Sequence, residues 1–148
     1  MFKHVLIPTD GSQLSRKAID AGIAFAKESG ARVTGYYALE EPTPAVYGEG
    51  YQFPDGGQSS AQESAQRKEG ARYVDEIARA AKAAGVAFDA DVTKAVSPYE
   101  GIVKAAHEHD CDVIFMASHG RKGLARLALG SVTSNVLTHS TVPVLVYR

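Results

Sequence analysis

Two polar, glycine-bearing segments of the sequence have the composition of an anion-binding site. They span residues 8–12 and residues 118–133. The second segment ends in four residues at the predicted start of a helix: Gly130, Ser131, Val132 and Thr133. At such a start, unpaired amides and the positive end of the helix dipole attract anions. Glycines such as Gly120 let a phosphate approach the backbone closely. The hydroxyl groups of Ser131 and Thr133 add hydrogen-bond donors.

The same residues have ordinary structural interpretations, and the local pattern leaves both open. Gly130 can form a turn with Ser131 as the helix N-cap, which is a common arrangement. Asp10 can cap the first helix, or it can hydrogen-bond a ribose or help to place a metal ion at a phosphate. Three basic residues can neutralise phosphates or simply face solvent: Arg121, Lys122 and Arg126.

Several motifs that would assign a function directly are absent. The sequence contains no G-x-x-x-x-G-K-[ST] phosphate loop, no G-x-G-x-x-G after the first apolar run and no G-x-S-x-G elbow. The acidic and histidine cluster at residues 107–110 suggests a metal site, but histidines two positions apart on a helix point to different sides. We interpret this cluster as a solvated helix end, Cys111 as a buried core thiol, and Tyr36 and Tyr37 as strand packing rather than base stacking.

Apolar and amphipathic segments alternate along the chain and define the elements that would position these residues. The predicted strands cover residues 2–7, 32–39, 86–92, 112–117 and 142–147. The predicted helices cover residues 13–28, 60–84, 98–109 and 132–138, the third with a capping-box sequence that begins at Ser97. This alternation predicts one α/β domain over residues 1–148, with a five-stranded parallel doubly wound sheet and helices on both faces. For this Rossmann-like sheet we assume the strand order 3-2-1-4-5.

The predicted topology brings the two polar segments together. In a sheet of that order, the strand order reverses between the first and fourth strands, and ligands bind beyond the carboxyl ends of those strands. The polar segments leave these same two strands, so we expect them to meet at one cleft. A loop at residues 40–59 is about twenty residues long, and loops of that length are usually functional or mobile.

Composition excludes several classes of protein. The chain has 148 residues, with 16 Lys+Arg against 17 Asp+Glu and a formal net charge of -1, so it lacks the basic excess of a nucleic-acid-binding protein. Its single cysteine excludes an internal disulfide framework and a multi-cysteine zinc site. The sequence has no signal-peptide pattern and no run of ~18–20 apolar residues, which predicts a cytoplasmic protein without membrane contact.

The sequence resembles the universal stress protein family over essentially its whole length. The resemblance rests on residues 5–12, on the closing apolar run at residues 143–146, and on residues 117–131. Nucleotide-binding members carry a glycine, two residues, a glycine, nine residues, and then a glycine with Ser or Thr. The positions that fit this spacing are Gly120, Gly130 and Ser131. Ala117 stands where the first glycine is expected, and its methyl group could crowd a ribose or phosphate.

The resemblance implies a nucleotide site, taken over position by position. The residues beside adenine and ribose would be Pro8, Thr9, Asp10, Ala38, Met116 and Ala117. The residues around the phosphates would be His119, Gly120, Arg121, Gly130, Ser131, Val132 and Thr133. The implied ligand is ATP, with a divalent cation such as Mg²⁺ to balance the charge of the phosphates.

The resemblance also implies a dimeric, ATP-binding regulatory module of the stress response, with no catalytic residue assigned. The homodimer would form through the last strand, Val142–Tyr147, where Pro143 favours an edge position and a bare apolar edge needs a cover. A regulatory protein partner is expected, but the sequence does not identify it. Two alternatives stay open: a member that binds no nucleotide and acts through protein contacts, and a slow ATPase in which His119 is a candidate base.

Overall fold

Strands and helices alternate along the chain in this computed structural model, which describes residues 1–41, 60–120 and 128–148. The strands are β1 (His4–Pro8), β2 (Arg32–Glu40), β3 (Phe88–Ala95), β4 (Val113–Ala117) and β5 (Val144–Tyr147). The helices are α1 (Gln13–Ser29), α2 (Ser60–Ala84), α3 (Pro98–Glu108) and α4 (Ser131–His139). Glu40 ends β2, and the rest of the predicted long loop after Glu41 lies outside the described residues.

The five strands form one sheet in the order β3-β2-β1-β4-β5, and every neighbouring pair is parallel. The predicted α/β class and the predicted strand order are both confirmed. β1 lies at the centre, where Val5 is in register with Val33 of β2 and with Val113 of β4. The strand order therefore reverses between β1 and β4.

Helices cover both faces of the sheet because β1 and β4 are apolar on both sides. On one face, Ile7 packs in a cluster that contains Ile77 of α2. On the other face, Leu6 packs in a cluster with Ile102 of α3 and Val136 of α4. Among the helices in the described ranges, none combines the length and the hydropathy needed to cross a membrane.

Four strands begin later than the sequence predicted, by two residues in β1, β3 and β5 and by one residue in β4. β3 is Phe88–Ala95 rather than residues 86–92, because Gly85 adopts a left-handed φ of 73° and closes α2 before the strand can start. The last strand loses its first two predicted residues to a turn, in which the Val142 amide donates to Ser140 Oγ at 3.0 Å.

The helices α1 and α3 begin at the predicted residues, whereas α4 does not. α1 begins behind Ser12, whose hydroxyl oxygen accepts from the Ser15 amide at 3.2 Å. Ser97 is the N-cap of α3 and Pro98 its first residue, as predicted, but the hydrogen bond of a capping box is missing, because the Ser97 hydroxyl group is buried without a partner in the described chain. α4 begins one residue earlier than predicted, at Ser131, and Gly130 is its N-cap.

Candidate functional site

A cavity of about 730 Å³ opens where the strand order reverses, at the carboxyl ends of β1, β2 and β4. Its volume lies within the roughly 300–1,000 Å³ of small-molecule sites. The predicted site residues that line it are Pro8, Thr9, Asp10, Ala38, Met116, Ala117, His119, Gly120, Gly130, Ser131, Val132 and Thr133. Arg121 lies outside the described residues. The two polar segments therefore meet as predicted, and their contact with a ligand stays a prediction.

Thr9 organises the loop that leaves β1. Its amide donates to the Tyr36 carbonyl at 2.9 Å, which ties the loop to β2. Its hydroxyl oxygen accepts from the Gly11 amide at 3.2 Å and from the Ser15 hydroxyl at 3.0 Å. Because the loop is bonded to β2 and to α1, it holds a fixed position at the edge of the cavity.

Asp10 connects the two polar segments. Its Oδ1 atom accepts from the Ser12 amide at 2.9 Å, which closes a turn before α1. The N-cap of α1 is Ser12, so the interpretation of Asp10 as that cap is wrong. The Oδ2 atom lies against Gly120, where a Cβ atom would collide with it. Gly120 thus lets the two loops meet with a carboxylate between them.

The start of α4 presents backbone to the cavity. Gly130 makes no side-chain cap bond, and its amide donates to the Ser118 carbonyl at 2.8 Å. A Cβ atom on Gly130 would lie 3.2 Å from that carbonyl oxygen and 3.2 Å from the Cα atom of His119, so any side chain would force the loop to shift. Because a glycine cap offers no side-chain acceptor, the first amides of α4 are left for an external acceptor.

The two predicted hydroxyl donors have different roles. Thr133 is buried, and its Oγ1 atom donates to the Ala117 carbonyl at 2.9 Å, which fastens α4 to β4. The predicted use of this hydroxyl as a phosphate donor is therefore wrong, because its single proton is already shared. Ser131 is exposed and lines the cavity, so its hydroxyl remains suited to meet a ligand.

The imidazole of His119 is bonded within its own loop. Its Nδ1 atom lies 2.9 Å from Ser118 Oγ. Its Nε2 atom is buried and has no hydrogen-bond partner within the part of the chain that the structure describes. A nitrogen that water cannot reach cannot activate a water molecule. The geometry therefore gives no support to His119 as a general base.

The remaining lining comes from residues that the sequence did not single out for a ligand: Ser15, Tyr36, Tyr37, Glu40, Pro98, Ile102 and Leu129. The strand packing predicted for the two tyrosines is confirmed, since Tyr36 is 1% exposed and the Tyr37 ring lies 5.7 Å from that of Tyr73. Their place at the carboxyl end of a strand beside β1 is the signal that could have found them.

The described lining of the cavity contains carboxylates but no lysine or arginine. Asp10 and Glu40 contribute carboxylates, while no lysine or arginine is among the described lining residues. The basic candidates of the sequence, Arg121, Lys122 and Arg126, fall in the range 121–127, which is not described. A phosphate group in this part of the cavity would need a counter-charge, such as a metal ion.

The polar groups at the end of α3 have their own partners. His109 Nε2 lies 2.7 Å from Asp91 Oδ2, and His107 Nε2 lies 3.2 Å from Thr141 Oγ1. Across residues 1–41, 60–120 and 128–148, no group of three or more His, Cys, Asp or Glu side chains could hold a metal ion. Cys111 is buried as predicted, and burial raises the pKa of its thiol to about 12.

A doubly wound parallel sheet with a glycine-lined cavity at its topological switch point defines a Rossmann-like α/β domain. The sequence matches the Universal stress protein family over residues 1–148. The chain belongs to this family, and the resemblance drawn from Gly120, Gly130 and Ser131 is confirmed.

Known relatives are similar to the chain over nearly its whole length. The universal stress protein MJ0531 of Methanocaldococcus jannaschii is 31% identical over 148 residues, which are 100% of this chain and 83% of that protein. The solved structure of MJ0577 from the same organism has a TM-score of 0.75 at 27% identity, covering 99% of this chain and 95% of that chain. A universal stress protein solved in complex with cAMP has a TM-score of 0.69 at 25% identity, covering 99% of this chain and 97% of that chain.

Proposed function

We propose that this protein is an ATP-binding regulatory module of the stress response that works in the cytoplasm. The observation that carries the proposal is the cavity between the ends of β1 and β4, bounded by Gly120 and by the glycine-capped start of α4. A Cβ atom at Gly120 or at Gly130 would force a shift of neighbouring atoms. Both glycines thus bring bare backbone to the place where an anionic group is best held.

The nucleoside would occupy the apolar part of the cavity. Ala38, Met116 and Ile102 supply apolar surface for a flat base, and Thr9 adds polar groups at the loop after β1. Mainly apolar walls with a few placed polar groups are typical of small-molecule sites. Ala117 packs against the core cluster that contains Phe115. Its methyl group thus has contacts within the protein, which supports retained binding despite the missing glycine.

The phosphates would lie at the start of α4. There they would accept from the first amides of the helix and from the hydroxyl of Ser131. Asp10 and Glu40 make the described lining acidic, so a polyphosphate needs a cation to approach it. We therefore propose that Mg²⁺ accompanies ATP, because this ion binds carboxylate and phosphate oxygens together.

A relative supports the class of ligand. The universal stress protein solved in complex with cAMP shares its fold with this chain over 99% of the chain. An adenine nucleotide is thus compatible with the fold, and ATP is the member of this class that we propose for the cavity.

A second candidate function follows from Ala117, which replaces the first glycine of the nucleotide-binding pattern. If its methyl group excludes the ribose, the protein would act through protein contacts alone. Slow ATP hydrolysis has less support, because the Nε2 atom of His119 is inaccessible.

We also propose that the protein is a homodimer joined through β5 and that it acts on a regulatory protein partner. β5 lies at the edge of the sheet, and its four residues, Val144–Tyr147, are apolar and only partly buried. An apolar edge strand with unpaired backbone groups tends to pair with another chain. The same strand of a second copy offers a matching cover.

Calorimetric titration of the purified protein with ATP in the presence of Mg²⁺ tests the nucleotide proposal. We expect saturable binding by the wild type. Ser131→Ala should weaken the affinity about tenfold, or about 1.4 kcal/mol, because it removes a hydroxyl that reaches the phosphates. Ser134→Ala is the matched control, since Ser134 is exposed on the same helix and does not line the cavity.

Two outcomes would contradict this proposal. Failure of the wild type to bind millimolar ATP would reject a nucleotide function and favour the protein-contact alternative. Equal affinity with and without EDTA would reject the role of Mg²⁺ while leaving nucleotide binding in place.

A further inference from the structure

We propose that Tyr73 of α2 is a positioning residue for the cavity, which it does not line. It holds the loop after β1 in its binding conformation and thereby couples helix α2 to the ligand. This inference rests on the proposed ligand function of the cavity, and two separate contacts of Tyr73 carry it.

The first contact is with Gly11, in the loop after β1. Gly11 has a left-handed φ of 77°, and a Cβ atom there would collide with Cε1 and Cζ of the Tyr73 ring and lie 2.7 Å from its Cδ1. Tyr73 is only 5% exposed, so the ring has no room to move into solvent while α2 stays packed. The ring therefore fills the space that a side chain at Gly11 would need and packs against the backbone of the loop.

The backbone at Gly11 sets the direction of the groups on either side. Its amide donates to Thr9 Oγ1 at 3.2 Å, and the next amide, that of Ser12, donates to Asp10 Oδ1 at 2.9 Å. A rotation at Gly11 would break both hydrogen bonds and would move the Asp10 carboxylate away from Gly120. Because glycine has wide conformational freedom, a ring packed on it supplies a restraint that the residue itself lacks.

The second contact joins Tyr73 to the wall of the cavity. Tyr37 lines the cavity from β2, and its ring centroid lies 5.7 Å from that of Tyr73 at an interplanar angle of 39°. Gly70, one turn before Tyr73 on α2, makes room for Tyr37, since a Cβ atom there would lie 2.6 Å from Tyr37 Cδ1. α2 thus meets both the loop and the wall of the cavity.

Tyr73 is itself held in place by neighbours on α2. Its hydroxyl donates to Glu69 Oε1 at 2.8 Å, and the guanidinium carbon of Arg72 lies 4.9 Å from its ring centroid. The atoms that approach Gly11 are ring carbons. The positioning effect therefore depends on the ring and not on the hydroxyl, which makes Tyr73→Phe the conservative variant.

Titration with ATP and Mg²⁺ tests the coupling. Tyr73→Leu should weaken the affinity about tenfold, and Tyr73→Phe should keep the affinity of the wild type. Phe25→Leu is the matched control: Phe25 packs 5.7 Å from the rings of Phe2 and Phe115, so this variant also loses aromatic packing, but away from the loop. If Phe25→Leu loses as much affinity for ATP as Tyr73→Leu, the loss in Tyr73→Leu reflects general destabilisation of the fold. That result would overturn the proposal.

A measurement without ligand separates this inference from the proposed function. Hydrogen exchange of the Gly11 and Ser12 amides should be faster in Tyr73→Leu than in Tyr73→Phe, Phe25→Leu or the wild type. Unchanged exchange in Tyr73→Leu would refute the positioning role. Faster exchange there, combined with a wild type that binds no ATP, would support positioning of the loop and reject the nucleotide function.

The reciprocal measurement needs no variant and remains decisive if Tyr73→Leu does not fold. Because coupling between two sites acts equally in both directions, ATP binding to the wild type should slow exchange of the amides at residues 70–76 of α2. Slower exchange would support the coupling, and exchange at α2 that does not respond to bound ATP would overturn it.

Discussion

A side chain at Gly120 and a side chain at Gly130 would collide with different parts of the site. At Gly120 a Cβ atom would meet the carboxylate of Asp10, which belongs to the other loop. At Gly130 it would meet the Ser118 carbonyl oxygen within the same loop. A substitution at the first position therefore disturbs the loop after β1, whereas a substitution at the second disturbs the start of α4.

His4 is a buried imidazole at the start of β1. Its Nε2 atom lies 2.7 Å from Thr34 Oγ1, and its Nδ1 atom is buried without a hydrogen-bond partner among the residues described. Burial, and after it the charge of Arg32, lowers the pKa of His4. The folded protein thus keeps this side chain neutral at pH values where an unfolded histidine takes up a proton.

The stability of the protein should therefore decrease as the pH falls below about 6.5, the ordinary pKa of histidine. In this window the unfolded chain binds a proton that the folded chain resists, until the pH reaches the lowered pKa of the folded state. The loss amounts to at most about 1.4 kcal/mol for each unit by which the pKa is lowered. Urea unfolding at about pH 7.5 and about pH 5.5 measures this loss.

His4→Gln should reduce the difference between the two pH values, because an amide can still bond to Thr34 but does not titrate. His107→Gln is the control, since His107 is exposed on α3. If His4→Gln keeps the whole pH dependence of the wild type, His4 is not its source.

The sequence could predict which residues meet at the cavity, but not which atom each of them uses. Glycine and hydroxyl spacing indicated Gly130, Ser131 and Thr133. The Thr133 hydroxyl nevertheless bonds to the Ala117 carbonyl, and Ser12 rather than Asp10 caps α1. These choices depend on the local geometry of each side chain, which residue spacing does not encode.

At the level of elements, a side-chain hydrogen bond from Thr133 joins α4 to the end of β4 and adds to the apolar packing of Val136. Thr133→Val keeps the shape of the residue but removes the donor to the Ala117 carbonyl. We expect a loss of about 1 kcal/mol in the free energy of unfolding, because a part-buried carbonyl loses its hydrogen-bond donor. Urea unfolding measures this loss.

Thr133→Ser is the matched variant, since it keeps the hydroxyl and removes only a methyl group, at a cost of about 1 kcal/mol. If Thr133→Val is as stable as the wild type, the hydrogen bond does not hold the helix in place.

Helices were more predictable than edge strands in this sequence. α2 is observed at Ser60–Ala84, as predicted, because helix-forming residues fill it and Gly85 ends it. β3 lies at the edge of the sheet and carries Asp89, Asp91 and Lys94. These polar residues interrupt the apolar pattern that marks a strand, so its bounds could not be read from the sequence.

At the scale of the whole molecule, parallel topology decides where the cavity lies. All five strands run in one direction, so the loops after β1 and β4 leave the same edge of the sheet. This arrangement brings Asp10 to Gly120, although they are far apart in the sequence. The alternation of elements predicted the parallel sheet, and the meeting of the two loops followed once the strand order 3-2-1-4-5 was assumed.

The free edge of β5 should decide the oligomeric state. The carbonyl groups of Pro143 and Tyr147 accept from β4 at 2.9 Å and 2.8 Å, so the alternate residues, Val144 and Val146, direct their backbone groups outward. Val146→Pro removes an outward donor without touching the bonds to β4. We expect the wild type to sediment as a dimer and Val146→Pro as a monomer.

Val146→Thr keeps both the amide and the β-branched shape, so it should remain dimeric in the same sedimentation experiment. A wild type that sediments as a monomer at micromolar concentration would contradict the proposed dimer. A Val146→Pro variant that still dimerises would place the interface elsewhere.

The reactivity of Cys111 should report how often the region around this residue opens to solvent. Cys111 is the only cysteine in the sequence, it is 5% exposed, and its thiol has a pKa of about 12. Alkylating reagents attack the thiolate, so they should modify this side chain only in molecules that have transiently opened the region between α3 and β4. The rate of alkylation in native buffer would then measure the free energy of that opening without any introduced label.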